Sequence, residues 1–284
     1  MNLSQLGELG LLERLLPHLS RAGGEVLIGA GEDDAAAWRE ADGTITVATC
    51  DTFVAGVHFD LDWMPAETAG WRAAALTLAD LGAKGATPTY GLVALSAPAA
   101  TEVAVVESLY AGLAASAGEC GLKLLGGDTT STPGPIVITL LALGRATRPP
   151  LPRSAIRPGW AIAVTGPLGG EAAALVARRP TRPRPWFGAL PPGAACGDIS
   201  DGLLRELLKF RAAAGVGARI RSGEVPVADG ATLEQALTGG EETVLVCGCP
   251  QPAPGLTLIG EFTEDERIVV DGEERDAGGY DHYG

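Results

Sequence analysis

Short apolar runs alternate with Ala- and Leu-rich stretches along the whole chain, and one Pro/Arg-dense segment, ATRPPLPRSAIRPG (146–159), interrupts that alternation near its middle. Runs such as EVLIGAG, TITVAT (44–49), YGLVALSA (90–97) and IVITLLALG (136–144) have the length and bounding turns of strands. Between them, PAETAGWRAAALTLADLGAKG (65–85) opens on proline and reads as a helix, and a second helix is expected from about Thr101, a candidate N-cap, to Gly121. Leucines at 6, 9, 12, 15, 16 and 19 predict an amphipathic opening helix. The second half repeats the grammar: WAIAVTG as a strand, a helix from about Gly169, a Pro/Arg-rich loop (180–193), then GDISDGLLRELLKFRAAAG as a loop leading into a helix. TVLVCG, LTLIGEF and RIVVDGE supply further strands. Such alternation predicts an α/β fold of α+β layers, and the Pro/Arg segment predicts two domains, 1–148 and 149–284.

Composition narrows the function. A hydrophobic fraction of 46% against 20% charged residues is that of a folded chain. The formal charge of −14 argues against a nucleic-acid partner, because backbone binding needs a basic surface. Five cysteines without disulfide-like spacing, and an N-terminus without a secretory pattern, predict a reducing cytoplasm. Cys247-Gly-Cys249 reads as strand packing in preference to half of a zinc site. With no apolar stretch of membrane-spanning length, no membrane partner is expected.

The chemistry resides in aspartates set beside Gly, Ser or Thr: Asp33-Asp34, Thr49-Cys50-Asp51-Thr52, Gly126-Gly127-Asp128 and Asp198-Ile199-Ser200-Asp201-Gly202. Each follows an apolar run, so strand ends converging on one crevice would gather carboxylates that repel one another unless cations neutralise them. Hard oxygen ligands of this kind suit Mg²⁺, which also binds substrate phosphates. Asp80, inside the apolar LTLADLG, is either an exposed helix position or a buried carboxylate that needs a partner. His58 is a candidate for an anionic group or a structural histidine; Gly239-Gly240-Glu241-Glu242 reads as a turn before a strand; the tail GGYDHYG either packs on its domain or closes over a ligand. None of the three lysines (Lys84, Lys123, Lys209) is followed by Ser or Thr, which excludes a P-loop, and no G-x-S-x-G elbow is present.

Taken together, GAGEDDAAAW, CDTFVAGVHFD, LADLGAKGATP, LLGGDTT, RSAIRPGWAIAVTGPLG, DISDGLL, ALTGGEE and GYDHY resemble thiamine-monophosphate kinase, within the aminoimidazole ribonucleotide synthetase-like superfamily. The resemblance implies a two-domain fold, a homodimer formed through the N-terminal sheets, ATP as co-substrate with several Mg²⁺ ions, and γ-phosphoryl transfer to thiamine monophosphate. It implies metal ligation by Asp34, Thr49, Cys50, Asp51, Asp80, Asp128, Asp198 and Asp201. Gly127, Asp128, Arg153 and Ser200 would contact ATP, and His58, Glu241 and Tyr280 the thiamine end. The run Glu32-Asp33-Asp34 offers two candidate ligands. Cys50, Gly197, Glu206 and Glu242 depart from the usual residues of the family. The rival readings are another ATP-using superfamily enzyme with a different small acceptor, and a non-catalytic nucleotide- or thiamine-phosphate-binding homologue.

Overall fold

The structure, a computed structural model, describes residues 2–251, 253–275, 279 and 280. Helix α1 (Leu3–Leu15) starts in a capping box between Asn2 and Gln5, but Leu3, Leu12 and Leu15 remain exposed. Strands β1 (Val26–Ile28), β2 (Ala36–Arg39) and β3 (Ile45–Val54) lead to helix α2 (Ala66–Ala83). Then come β4 (Ala86–Ala97), α3 (Val103–Glu119), β5 (Lys123–Ser131) and β6 (Val137–Ala146). These strands form one sheet in the order β1-β2-β3-β6-β4-β5, antiparallel except for the β4–β5 pair that α3 bridges.

Beyond a short 3-10 turn at Arg153–Ala155, the chain forms β7 (Ala161–Val164), α4 (Gly170–Val176), β8 (Ala195–Ile199), α5 (Leu203–Ala214) and β9 (Gly217–Ile220). Helix α6 (Leu233–Thr238) precedes β10 (Glu242–Cys249), β11 (Thr257–Thr263), β12 (Ile268–Val270) and β13 (Glu273–Glu274). The second sheet runs β13-β12-β9-β11-β7-β10-β8. All strands of the first sheet thus precede Ala146 and all those of the second follow Ala161.

Helix α2 explains how the halves meet. Sixteen of its residues, Thr68 to Ala83, are buried, because the first sheet, α3 and strands β8 and β10 all pack on it. An Ala-rich helix, apolar over most of its surface and interrupted by Arg72 and Asp80, is the expected filling for such a position. Its approach to α3 is backbone-close: a Cβ at Gly70 would lie 1.9 Å from the Leu109 carbonyl, and one at Gly112 would lie 1.7 Å from that of Glu67. The Pro/Arg-rich loop clasps the same helix, with Trp71 Nε1 donating to the Pro183 carbonyl at 2.8 Å and Arg182 stacked over the Trp71 ring.

Two expectations need correction. GDI is the end of strand β8, not loop, because Ala195–Ile199 pairs antiparallel with β10. That pairing sets Cys196 opposite Cys247, and the structure joins them in a disulfide. A sequence separation of 51 residues carried no sign of it, since the cross-strand register that opposes them is a tertiary property. Cys249 is a free, buried thiol in the same packing layer, as the strand-packing reading of the C-x-C segment expects.

Candidate metal and phosphate site

Three carboxylates converge where α2 meets both sheets. One oxygen each from Asp34, Asp80 and Asp198 lies within 4.8 Å of the other two. Asp34 comes from the loop between β1 and β2, Asp80 from the last turns of α2, and Asp198 from inside β8. Thr49 Oγ1 donates to Asp80 Oδ2 at 2.5 Å. Along β3, alternation turns Thr49, Asp51 and Phe53 toward the helices and Cys50 and Thr52 toward the opposite face. The Cys50 thiol is therefore exposed on the far side of the sheet and cannot join these carboxylates, leaving at most its backbone carbonyl as a ligand.

Electrostatically the cluster is acid-rich and divided. Asp33 is sealed between Lys84 Nζ at 2.7 Å and Arg153 Nη1 at 3.6 Å, so it is neutralised as a structural partner. Asp34 points to the cluster, paired with Arg153, and this separates the two neighbouring candidates. Burial pushes the Asp34 carboxyl up, but the Arg153 and Lys209 charges outweigh it and hold the group well below the usual range. For Asp80 and Asp198 burial is unopposed by any salt bridge among the described residues; it raises both well above the ordinary value, reinforced by Asp198 at Asp80 and by Asp34 at Asp198. Asp51 rises to about 6, again through burial first and the Asp34 charge second. The Asp198 Oδ1 atom has no hydrogen-bond partner among the described residues. Two buried carboxylates destabilised as anions, Asp80 and Asp198, gathered with the charged and more accessible Asp34, fit a hard divalent cation.

The aspartates do not sit where the sequence suggested. Asp51, Asp128 and Asp198 lie inside strands instead of after them, because the Thr, Val and Ile that follow continue the strand. Convergence comes from side chains projecting into the layer between sheet and helix.

Comparisons with known proteins place the chain in a family. Residues 32–146 match the family model of the AIR synthase related protein, N-terminal domain. Thiamine-monophosphate kinase of Mycobacterium tuberculosis is 35% identical, covering 96% of this chain and 90% of that protein. Its Escherichia coli counterpart is 33% identical, over 98% of each. This chain belongs to the thiamine-monophosphate kinase family. Among solved structures, AaThiL complexed with AMPPCP and TMP superposes with a TM-score of 0.87 and 27% identity, over 99% of each chain.

The remaining positions that the kinase resemblance singled out are distributed unequally around the cluster. Arg153, 4% exposed, donates through Nε to Glu206 at 2.7 Å and also binds Asp34. Asp201 lies at the start of the α5 turn, 3.1 Å from Lys209 Nζ. The Ser200 carbonyl accepts from Glu241 N–H at 2.6 Å, which places the GGEE turn against DISDG. Glu241, with φ of 59°, is held by Arg72 of α2, which also binds Glu171. His58 Nδ1 accepts from the Val54 N–H at 3.1 Å, fixing that ring nitrogen as an acceptor. Tyr280 N–H reaches the Asp201 carbonyl at 3.3 Å, which puts Tyr280 beside the site; Asp281, His282 and Tyr283 of the GYDHY motif lie outside the described residues.

Gly127 and Asp128 stand apart. In the first sheet Asp51 pairs with Leu140, Leu140 with Val93, and Val93 with Gly127. Three strand spacings put Gly127 about 14 Å from Asp51. Asp128 is accordingly outside the carboxylate trio of its own chain. Gly127 is required by its sheet neighbour, since a Cβ there would fall 1.7 Å from the Val93 carbonyl.

Sequence reasoning missed Lys84, Lys209 and Arg72, which pair with Asp33, Asp201 and Glu241. It did register Gly197 and Glu206 as unusual, and the structure joins them: a Cβ at Gly197 would lie 2.0 Å from Glu206 Oε1. The longer carboxylate occupies the space that the missing side chain leaves.

Proposed function

We propose that this chain transfers the γ-phosphoryl group of ATP to the phosphate of thiamine monophosphate, yielding thiamine diphosphate and ADP. The observation that carries the reading is the convergence of Asp34, Asp80 and Asp198 from both halves of the chain, without cations enough to balance them. Thr49, Asp51 and Asp201 would complete the ligand set for Mg²⁺, with the Cys50 carbonyl. When bound, Mg²⁺ neutralises the phosphate oxygens of two anions that must approach each other. The protein's own part is positioning. Arg153 stays charged at any working pH; sealed among Asp33, Asp34 and Glu206, it would serve the nucleotide by fixing the Asp34 carboxylate in place. Ser200, on the turn beside it, would hydrogen-bond the nucleotide. Glu241, steadied by Arg72, and His58 would hold the cationic thiamine end, and Tyr280 would cover it.

A second copy supplies what one chain lacks. The face of the first sheet turned away from the helices exposes Tyr90 and Leu92, and Cys50 and Thr52 lie on that side. Packing two such faces would form a homodimer. It would also bring Gly127 and Asp128 of one protomer to the site of the other, which their separation of about 14 Å from Asp51 requires if they are to share one nucleotide.

The deciding experiment is a single-turnover reaction of the purified chain with ATP and thiamine monophosphate, with and without Mg²⁺, following thiamine diphosphate directly. Metal-dependent product is expected. Tight ATP binding with no thiamine diphosphate would overturn the reading, and ADP release only with another acceptor would point to the superfamily rival. Light scattering on the eluting protein tests the dimer; a monomer at micromolar concentration would remove it.

A further inference from the structure

Lys209 is surrounded by more negative charge than an ordinary ion pair needs. Its Nζ lies 3.1 Å from Asp201 Oδ2, 3.5 Å from Glu206 Oε2 and 3.7 Å from Asp34 Oδ2. Asp34 belongs to the N-terminal half, the other two to α5 and the turn before it, so one ammonium draws together carboxylates from both halves. The same Asp34 contributes an oxygen to the trio with Asp80 and Asp198.

The three basic residues of this region differ in access. Lys84 and Arg153 are sealed, with side chains 1% and 5% exposed, whereas Lys209 is 23% exposed beside Asp201 and Asp34 at 24% and 32%. Lys209 therefore sits at the mouth of the cluster. An ammonium is a compact point charge on a flexible four-carbon stem, so it can leave without disturbing the fold in a way that a sealed guanidinium cannot.

We propose that Lys209 is a displaceable internal cation: it occupies the carboxylates of Asp34 and Asp201 in the metal-free protein and competes with divalent ions for them. The inference rests on the reading of this cluster as a metal centre. A carboxylate oxygen engaged with an ammonium is a poorer ligand, so metal uptake entails swinging Lys209 toward solvent. Lys209 is thereby a positioning residue that sets how much free divalent ion the site needs.

Two measurements on the full chain, without nucleotide, test it. Amine acetylation of the wild-type protein followed by peptide mass mapping resolves all three lysines, Lys84, Lys123 and Lys209. Saturating Mn²⁺ should raise labelling of Lys209 several-fold and leave Lys84 and Lys123 unchanged; unchanged or reduced labelling of Lys209 overturns the proposal. In the second, Mn²⁺ affinity is read by electron paramagnetic resonance. Lys209→Gln should tighten it about tenfold, the scale set by removing one unit charge a few ångströms from the ion. A purely structural lysine predicts weaker or equal binding in that variant, and either result overturns the competition. Mn²⁺ that fails to bind the wild-type chain at all sinks the metal-centre reading together with the inference, whereas Mn²⁺ that binds regardless of Lys209 sinks the inference alone. The labelling arm needs no variant and stands even if Lys209→Gln does not fold.

Discussion

Two buried ionic clusters tie α2 to the C-terminal sheet, and they are built on opposite principles. Around Arg72, one guanidinium binds Glu171 and Glu241, and every one of the three groups has its partner in the folded chain. Around Asp80, carboxylates face one another, and the nearby cations serve Asp33, Asp34, Asp201 and Glu206 instead of Asp80 and Asp198. Burying charge is costly unless it is paired, so a folded protein keeps an unpaired cluster only where something else is to arrive. The Arg72 cluster matches each charge with an opposite one, though the buried Arg72 Nε has no hydrogen-bond partner among the described residues, whereas on the proposed reading the Asp80 cluster would take up cations.

The largest effect should come from the incomplete cluster. Asp198→Asn removes a proposed ligand while keeping the shape, and turnover should fall about 10³-fold or more in an ADP-release assay, on the scale of losing preorganised charge stabilisation. The same substitution should raise the melting temperature in EDTA, because an unpaired buried carboxylate disappears. A drop in both activity and metal-free stability would show that Asp198 is instead a partner in a satisfied network.

Arg72→Met makes the converse test. It strands Glu171 and Glu241 without their cation, and urea unfolding should show a loss of about 3–5 kcal/mol. A loss well below 1 kcal/mol would mean that the cluster is not matched in the sense argued above.

Glu242 borders the Arg72 cluster and adds a pH dependence. Burial raises it from 4.5 to about 7, despite the hydrogen bond its Oε1 accepts from the Glu171 amide at 3.0 Å. A carboxyl whose folded-state value is raised binds its proton more tightly in the folded protein, so its contribution is fully present at low pH and is lost as pH climbs from 4.5 to about 7. Glu242→Gln should flatten that part of the stability profile and stabilise the protein at pH 8, by at most about 3 kcal/mol. An unchanged slope between these values would contradict the assignment. The smallest effect concerns the proposed acceptor end: His58→Ala should raise the KM for thiamine monophosphate about tenfold, or about 1.4 kcal/mol, with the KM for ATP unmoved.

Much of this was legible in the chain. The spans of α2 and β6 follow from periodicity and bounding turns, β3 and β4 were seen but read too short, and the aspartates announced themselves by their neighbours. What stayed hidden has one physical origin. Periodicity reports which face of an element is apolar, but not which residue of another element stands opposite. Hence Cys196 gave no hint of Cys247, GGD gave no hint of being mid-strand on an edge, and nothing tied Lys209 to these acids. Asp33 and Asp34 are equivalent in sequence; only the positions of Lys84 and Arg153 distinguish a sealed partner from a candidate ligand. The opening helix was foreseen too, yet its apolar face is left largely uncovered, since leucine spacing does not name a packing partner.

Helix α2 carries both clusters, Arg72 near its start and Asp80 near its end, and its backbone is locked against α3 where Gly70 faces Leu109 and Gly112 faces Glu67. Eight residues of α-helix separate them by about 12 Å along the axis. The helix thus acts as a ruler. A molecule that engages Glu241 with one end and the carboxylate cluster with the other must span a distance that this rod has already set. Lengthening it by one residue would advance one end by about 1.5 Å and rotate it by about 100°. Acceptor length would then be selected by a segment that need not touch the acceptor at all.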